Sequence, residues 1–202
     1  MTILSVIKTR EFRWAQCARF LWAQLCPFFD FWSVFMKKSR FIAHSALIGA
    51  LYVALTYLQN FLIPNSATFV IQFRASEALC ALALFTPAAI PGLTLGCLLF
   101  NISYAAALPL DFLVGSLASL LATAGMYATR KVTVRGYPIL AMTLPAVSNA
   151  LLVGWELSVY IGGGFWLNAL YVAVGELAVL LSLGTAMYYG LRTRGLDKRL
   201  FG

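Results

Sequence analysis

The feature that most constrains this chain is a series of apolar stretches, several of them long enough to cross a lipid bilayer. The longest charge-free run, residues 78–110, covers 33 residues. Of all 202 residues, 61% are apolar and 11% are charged, whereas water-soluble domains carry about 25% charged residues. A spanning helix needs ~20 apolar residues, so the chain has room for about six spans and for no second, soluble domain. We therefore predict an all-α integral membrane protein.

Charged and turn-forming residues divide the apolar region into six predicted helices. Residues 78–110 would form a single helix of ~50 Å, which is too long for a ~30 Å hydrocarbon core, and the proline-containing segment 87–92 supplies a break. Three consecutive glycines at 162–164 predict the turn before the last span, and Pro145 predicts a kink in the fifth. The six predicted spans are residues 41–58, 76–89, 91–108, 110–129, 138–161 and 165–189.

The distribution of basic residues predicts the orientation of these spans. If Met36 lies in the cytoplasm, ten Lys and Arg residues fall on the inner side and Arg74 alone falls on the outer side. An excess of cations marks cytoplasmic loops, so the net charge of +8 does not indicate a nucleic-acid-binding face. We expect cytoplasmic N- and C-termini and a multi-pass location in a bacterial plasma membrane. The ten inner residues are Lys37, Lys38, Arg40, Arg130, Lys131, Arg135, Arg192, Arg194, Lys198 and Arg199.

Residues 1–35 form an N-terminal extension that differs from the membrane domain, residues 36–202. The extension holds nine of the 29 aromatic residues, and the tripeptide Trp-Ala-Gln begins at both Trp14 and Trp22. One interpretation is an interfacial helix with both Trp side chains at the headgroup level. The other is that the assigned translation start lies upstream of the true one, because Met36 and the basic residues after it are typical of a cytoplasmic N-terminus.

The residue types argue against metal, triad and nucleotide chemistry. His44 is the only histidine, so a zinc site or a Ser-His-Asp triad would lack its usual residues. The four cysteines contain no Cys-x-x-Cys pair, and the chain has no Gly-x-x-x-x-Gly-Lys-[Ser/Thr] phosphate loop. We expect no cofactor, no metal and no enzyme activity. Uphill transport would need an ion gradient or a partner ATPase.

Four carboxylates inside the predicted spans are the strongest functional signal. An ionised side chain at mid-bilayer costs about 3 kcal/mol on insertion scales. Glu176 lies 11 residues into the sixth span, ~16 Å from its outer end, and Asn149 and Glu156 are two helical turns apart on one face. Structural alternatives stay open: a helix contact for Glu176, outward snorkelling for Glu156, a helix N-terminal charge for Asp111, and a surface ion pair between Arg74 and Glu77.

On the predicted topology all four carboxylates fall in the outer half of the bundle. Asn149 and three aromatic residues, Trp155, Tyr160 and Trp166, fall there as well. Carboxylates accept paired hydrogen bonds from N–H groups, and aromatic faces stack on planar rings. The pattern favours an outward cavity for a planar ligand with several N–H donors or for a cation.

Small residues mark a second surface. Ala46, Ala50 and Ala54 recur every four positions on the first span, and Gly92 and Gly96 are four apart at the start of the third. Such strips let another backbone approach closely. Either packing within the bundle or docking of a different protein would explain them.

Several separated blocks occur in collinear order and together resemble the QueT family over residues 36–202. That family provides the substrate-binding S component of energy-coupling factor (ECF) transporters for queuosine precursors. The resemblance implies a six-helix S-component bundle with an outward pocket, capped by the loop between the first two spans. The blocks are Gln72–Leu79, Leu95–Cys97 with Asn101, Asp111–Ala118, Asn149–Leu157, Phe165–Trp166 and Gly175–Leu177.

The resemblance also implies ligands and partners. The ligands are 7-deazaguanines such as pre-Q1, pre-Q0 or queuine. The partners are a transmembrane coupling subunit and two cytoplasmic ATPases, which dock through Ala46, Ala50 and Ala54. Trp155 departs from the family, where a smaller residue is expected.

The expected ligand contacts follow from the chemistry of a deazaguanine. We expect the base edge to bind Glu176 or Glu156, the carbonyl to bind Asn149 or Arg74, the aminomethyl group to bind Glu77 or Asp111, and the ring to stack on Trp166.

Two other classes of function stay open. One is a proton-coupled carrier that uses Glu176, and the other is an intramembrane enzyme that uses Glu156 and Glu176 as an acid/base pair.

Overall fold

The structure is a computed structural model that describes residues 38–64, 73–104 and 108–201 of the chain. The side chains of residues 197, 198 and 201 are outside this description. Residues 1–35 are also outside it, and with them both interpretations of the N-terminal extension. The described residues from Ala43 onward belong to one compact unit, which contains the site described below.

The described residues are helical apart from turns and one isolated β-bridge between Val134 and Tyr137. A 3₁₀ helix follows α1, and a short π-helical segment joins α5 to α6 without interruption. The elements are α1 Lys38–Leu62, the 3₁₀ helix Ala75–Leu84, α2 Ala89–Ser103, α3 Asp111–Thr129, α4 Ile139–Tyr160, α5 Phe165–Val179, the π segment Leu180–Gly184, α6 Thr185–Thr193 and α7 Leu196–Phe201.

Four helices in the described part of the chain are long and apolar enough to cross a membrane. They are α1, α3, α4 and the continuous helix Phe165–Thr193. These agree with the predicted first, fourth, fifth and sixth spans to within a few residues at each end. The protein is thus a membrane-type helical bundle, and the count of six spans and the orientation of the termini stay predictions.

The second and third predicted spans are shorter than expected. The α-helix predicted over 76–89 is wrong, because the chain forms a 3₁₀ helix that ends at Leu84. A 3₁₀ helix rises 2.0 Å per residue, so its ten residues extend ~20 Å. The predicted break is confirmed, since Pro87 lies in the turn before α2. Residue Tyr104 is extended, so α2 ends before the predicted residue 108.

The 3₁₀ helix lies in the main apolar core. Every residue from Ser76 to Leu84 is buried, and its apolar side chains pack with buried residues of the surrounding helices. A helix that is buried on all sides needs no amphipathic pattern, which fits its almost uniformly apolar sequence. The residues around it include Ile48, Tyr52, Leu93, Cys97, Met126, Met142, Leu180 and Tyr188.

The two glycines of the small-residue pattern on α2 pack inside the bundle. A Cβ atom at Gly92 would lie 2.6 Å from the carbonyl oxygen of Ser45, and one at Gly96 would lie 2.9 Å from that of Gly49. Only glycine allows such close approach of α2 to α1. Packing within the bundle therefore explains this pair.

The alanine strip on α1 has a different environment. Ala46, Ala50 and Ala54 are all exposed on the surface of the described bundle. Their role in docking a partner protein stays a prediction.

The predicted turn at Gly162, Gly163 and Gly164 between α4 and α5 is confirmed, because all three have φ between +82° and +86°.

Candidate functional site

Five charged residues that the sequence placed in or beside the spans are buried. Glu77, Asp111, Glu156 and Glu176 are 1–4% exposed, and Arg74 is 4% exposed. Arg74 interacts electrostatically with each of the four carboxylates. Together with Asn149, which contacts Glu176, these residues form one group that we call the polar cluster. Four separate elements contribute to it, so it exists only in the folded bundle.

Arg74 and Asp111 form the ion pair of the cluster. The Nη2 atom of Arg74 lies 3.5 Å from Oδ2 of Asp111. Asp111 begins α3, and Asn101 at the end of α2 donates a hydrogen bond from Nδ2 to its carbonyl oxygen at 2.9 Å. A surface ion pair between Arg74 and Glu77 is therefore not observed, because both side chains are buried and the ion pair of Arg74 is with α3.

Glu77 is held from two directions. The hydroxyl of Tyr52 on α1 donates to Oε1 at 2.7 Å, and the thiol of Cys80 donates to Oε2 at 3.2 Å. Each carboxylate oxygen of Glu77 thus has a donor from the protein. Since a carboxylate offers about four acceptor positions, each oxygen keeps capacity for a further donor.

Asn149 and Glu176 connect α4 to α5. The Nδ2 atom of Asn149 donates to Oε1 of Glu176 at 2.8 Å. The same two helices approach closely nearer to the turn that joins them, where a Cβ atom at Gly154 would be only 2.8 Å from the Cα of Ala169. The Oε2 atom of Glu176 is buried and has no hydrogen-bond partner among the described residues. Asn149 therefore fixes one carboxylate oxygen of Glu176, and the other can accept a hydrogen bond from a ligand.

The carboxylate of Glu156 has fewer hydrogen-bond partners among the described residues than any other carboxylate in the cluster. It is 1% exposed, and neither Oε1 nor Oε2 has a hydrogen-bond partner in the described part of the protein. Outward snorkelling does not occur, because the side chain is enclosed by the bundle. Buried polar atoms without partners are rare and costly, and they often mark a functional site. Glu156 therefore offers two acceptor atoms without donors, and its charged neighbours in the cluster are Asp111 and Arg74.

The predicted aromatic residues do not join the polar cluster. Trp166 is 80% exposed, Trp155 is 50% exposed and Tyr160 is 41% exposed on the bundle surface. Trp155 and Glu156 are neighbours in α4, and consecutive helical residues point in different directions. The structure thus brings together six of the seven predicted ligand residues and leaves Trp166 outside. Ring stacking by Trp166 stays a prediction.

Sequence reasoning missed the hydrogen-bond donors that surround the carboxylates. Tyr52 and Cys80 donate to the carboxylate of Glu77, and Asn101 donates to the backbone of Asp111. Thr56, which like Tyr52 is fully buried, donates to Ser76 beside Glu77. A signal was present, since Tyr52, Thr56 and Asn60 recur every four positions and place polar groups on one face of an otherwise apolar helix.

The arrangement of the described carboxylates differs from that of a metal centre. Among the described residues, no group of three or more His, Cys, Asp or Glu side chains could hold a metal ion. Cys80 and Cys97 are both buried free thiols. What the arrangement offers is a set of carboxylate acceptors beside one guanidinium donor, which suits an organic ligand with several N–H groups.

Comparison with known proteins identifies the family. No curated protein and no solved structure matches the chain. The family model described as QueT transporter matches residues 42–193. This range is well over half of the chain. It contains the complete polar cluster and all four long apolar helices except residues 38–41 at the start of α1. The protein is a member of the QueT transporter family.

Proposed function

We propose that this protein is the substrate-binding S component of an ECF transporter and imports a queuosine precursor, a 7-deazaguanine such as pre-Q1, pre-Q0 or queuine. The observation that carries the proposal is the pair of buried carboxylates, Glu156 and Glu176, whose open oxygen atoms lie in one polar cluster. Membership of a transporter family supports a role in binding and moving a solute.

The chemistry of a deazaguanine matches the open groups. Its N1–H and exocyclic amine are adjacent donors, and the fixed side chain of Glu176 presents an acceptor for this edge. Asn149 holds that carboxylate in one orientation, so little conformational entropy is lost when the ligand binds. Arg74 is the cationic donor suited to the ligand carbonyl.

Glu156 is the best-suited carboxylate for an aminomethyl ammonium or for further N–H donors. Glu77 already accepts from Tyr52 and Cys80, and Asp111 is paired with Arg74. Glu156 has neither kind of partner. The expected assignment of the aminomethyl group to Glu77 or Asp111 is thus less well supported than an assignment to Glu156.

Transport itself would depend on partner proteins. A transmembrane coupling subunit would dock on the exposed strip of Ala46, Ala50 and Ala54, where small side chains allow close helix contact. Hydrolysis of ATP by two cytoplasmic ATPases would then topple the loaded bundle in the plasma membrane and carry the pocket from the outer to the inner side. This chain would supply affinity and specificity.

A binding titration tests the ligand site. Detergent-solubilised protein is titrated by calorimetry with pre-Q1, pre-Q0, queuine and guanine, and the titration is repeated with Glu176→Gln and Glu156→Gln. A lost charge-assisted hydrogen bond is worth about 1.5–3 kcal/mol, so affinity should fall about 10- to 150-fold in each variant.

The matched control is Ser158→Ala on the same helix as Glu156. Ser158 only donates to the carbonyl oxygen of Trp155, so this variant should bind like the wild type. Unchanged affinity in both glutamine variants would contradict the assigned site, and absence of binding to every deazaguanine would contradict the proposed substrate class.

A further inference from the structure

One face of α1 carries polar side chains that bind the start of the 3₁₀ helix. Tyr52, Thr56 and Gln59 are separated by four and three positions, which places them on one side of a helix. Each contacts residues 73–77, the segment that contains both Arg74 and Glu77. We call these three residues the α1 polar face.

The contacts follow the segment residue by residue. The Tyr52 hydroxyl donates to Oε1 of Glu77 at 2.7 Å. Thr56, which is fully buried, donates from Oγ1 to Oγ of Ser76 at 2.8 Å. The buried hydroxyls of α1 thus hold two consecutive residues at the first turn of the 3₁₀ helix.

Gln59 holds the backbone on both sides of Arg74. Its side-chain amide donates from Nε2 to the carbonyl oxygen of Phe73, and its Oε1 accepts from the backbone N–H of Ala75 at 2.6 Å. The first N–H groups of a helix have no partner within the helix, and Arg74 supplies no side-chain cap. Gln59 therefore supplies the missing acceptor from another helix.

We propose that Tyr52, Thr56 and Gln59 are positioning residues that set the geometry of Arg74 and Glu77 for ligand binding. The inference rests on the proposed function, since it assumes that the polar cluster binds the ligand. None of the three needs to touch the ligand. They act through the segment 73–77, whose guanidinium pairs with Asp111 and whose carboxylate interacts with Arg74.

The central variant is Tyr52→Phe, which removes one hydroxyl and keeps the ring in the core. Calorimetric affinity for pre-Q1 should fall about tenfold, because a hydrogen bond to a charged carboxylate is lost. The matched control is Tyr57→Phe on the same helix, which loses a bond of equal length, 2.7 Å, to Ser103 outside the cluster. The control should bind within about twofold of the wild type.

A double-mutant cycle separates positioning from general destabilisation. If Tyr52 acts through Glu77, the double variant Tyr52→Phe/Glu77→Gln should bind pre-Q1 like Glu77→Gln alone. A structural defect would instead add to the effect of Glu77→Gln. Independent effects in the cycle would therefore overturn the inference.

Two further variants keep the test decisive if Tyr52→Phe does not fold. Thr56→Val removes the contact with Ser76, and its control, Thr94→Val, removes only a bond to the carbonyl oxygen of Ile90 within α2. Gln59→Glu keeps an acceptor for Ala75 and removes the donor to Phe73. Both test variants should bind pre-Q1 about tenfold more weakly than the wild type.

The outcomes distinguish the two proposals. If wild-type protein binds pre-Q1 and the α1 variants bind as tightly as their controls, the positioning role is overturned and the proposed function stands. If wild-type protein binds no deazaguanine, the proposed function fails and the positioning role fails with it. Weaker binding by the α1 variants alone, with a non-additive cycle, supports the inference.

Discussion

Replacing two buried glutamates by methionine should change stability in opposite directions. Glu156 and Glu77 are both 1–2% exposed, so burial alone predicts the same effect for both. Their partners differ, because Glu156 has no hydrogen-bond partner among the described residues and Glu77 accepts from Tyr52 and Cys80. Methionine has a similar length and no charge, so each substitution mainly removes the carboxylate.

The magnitudes follow from the unpaired polar groups in each case. Glu156→Met removes a buried group whose desolvation is not compensated, and it should stabilise the ligand-free protein by about 1–3 kcal/mol. Glu77→Met leaves the buried Tyr52 hydroxyl without its carboxylate acceptor and should destabilise by about 1–3 kcal/mol. Glu156→Met should also abolish the response to pre-Q1.

The assay is thermal unfolding of purified protein in one detergent, with and without pre-Q1. The midpoint should rise for Glu156→Met and fall for Glu77→Met relative to the wild type. Addition of pre-Q1 should raise the midpoint of the wild type and leave that of Glu156→Met unchanged. If Glu156→Met is destabilised as much as Glu77→Met, the reasoning from unpaired oxygens is refuted.

Three further predictions concern packing, docking and energy source. Gly96→Ala should destabilise the protein by about 1–3 kcal/mol in thermal unfolding, because its Cβ would lie 2.9 Å from the carbonyl oxygen of Gly49. The control Gly190→Ala, which has open space around it, should be neutral or stabilising by up to about 1 kcal/mol. Equal effects of the two variants would contradict the close approach of α2 to α1. Ala50→Trp should abolish uptake in cells while purified protein binds pre-Q1 normally, and Leu151→Trp on another exposed position is the control; normal uptake by Ala50→Trp would remove the docking role. Liposomes that contain this protein alone should accumulate no pre-Q1 under a pH gradient, and accumulation there would favour a proton-coupled carrier.

The buried carboxylates could be predicted from the sequence because charge in an apolar span is expensive. The same argument could not predict their partners. Arg74 pairs with Asp111, which is 37 positions away in the chain, and only the packing of α3 against the 3₁₀ helix brings them together. The four-residue spacing of Tyr52, Thr56 and Asn60 marks a polar face on α1, but it does not identify Glu77 as the partner of Tyr52, since tyrosine is equally compatible with a membrane interface and with a buried hydrogen bond.

The helix boundaries show a similar division. Pro87 and the three glycines at 162–164 predicted two chain breaks, because their backbone restrictions are local. The 3₁₀ helix at Ala75–Leu84 was not predicted, since its side chains suit an α-helix equally well. Its first residue is held by a tertiary contact, the bond from the backbone N–H of Ala75 to Gln59 on α1. The predicted topology placed Trp166 in the outer half of the bundle, but the direction of its side chain depends on helix packing that the order of the spans does not determine.

A structure of the protein with bound pre-Q1 tests the central claim most directly. The account predicts that ligand nitrogen atoms lie about 2.7–3.2 Å from Oε2 of Glu176 and from a carboxylate oxygen of Glu156. The ligand ring should lie inside the polar cluster, beside Arg74. A ligand bound elsewhere, with Oε2 of Glu176 and both carboxylate oxygens of Glu156 still without donors in a closed and dry cluster, would contradict it.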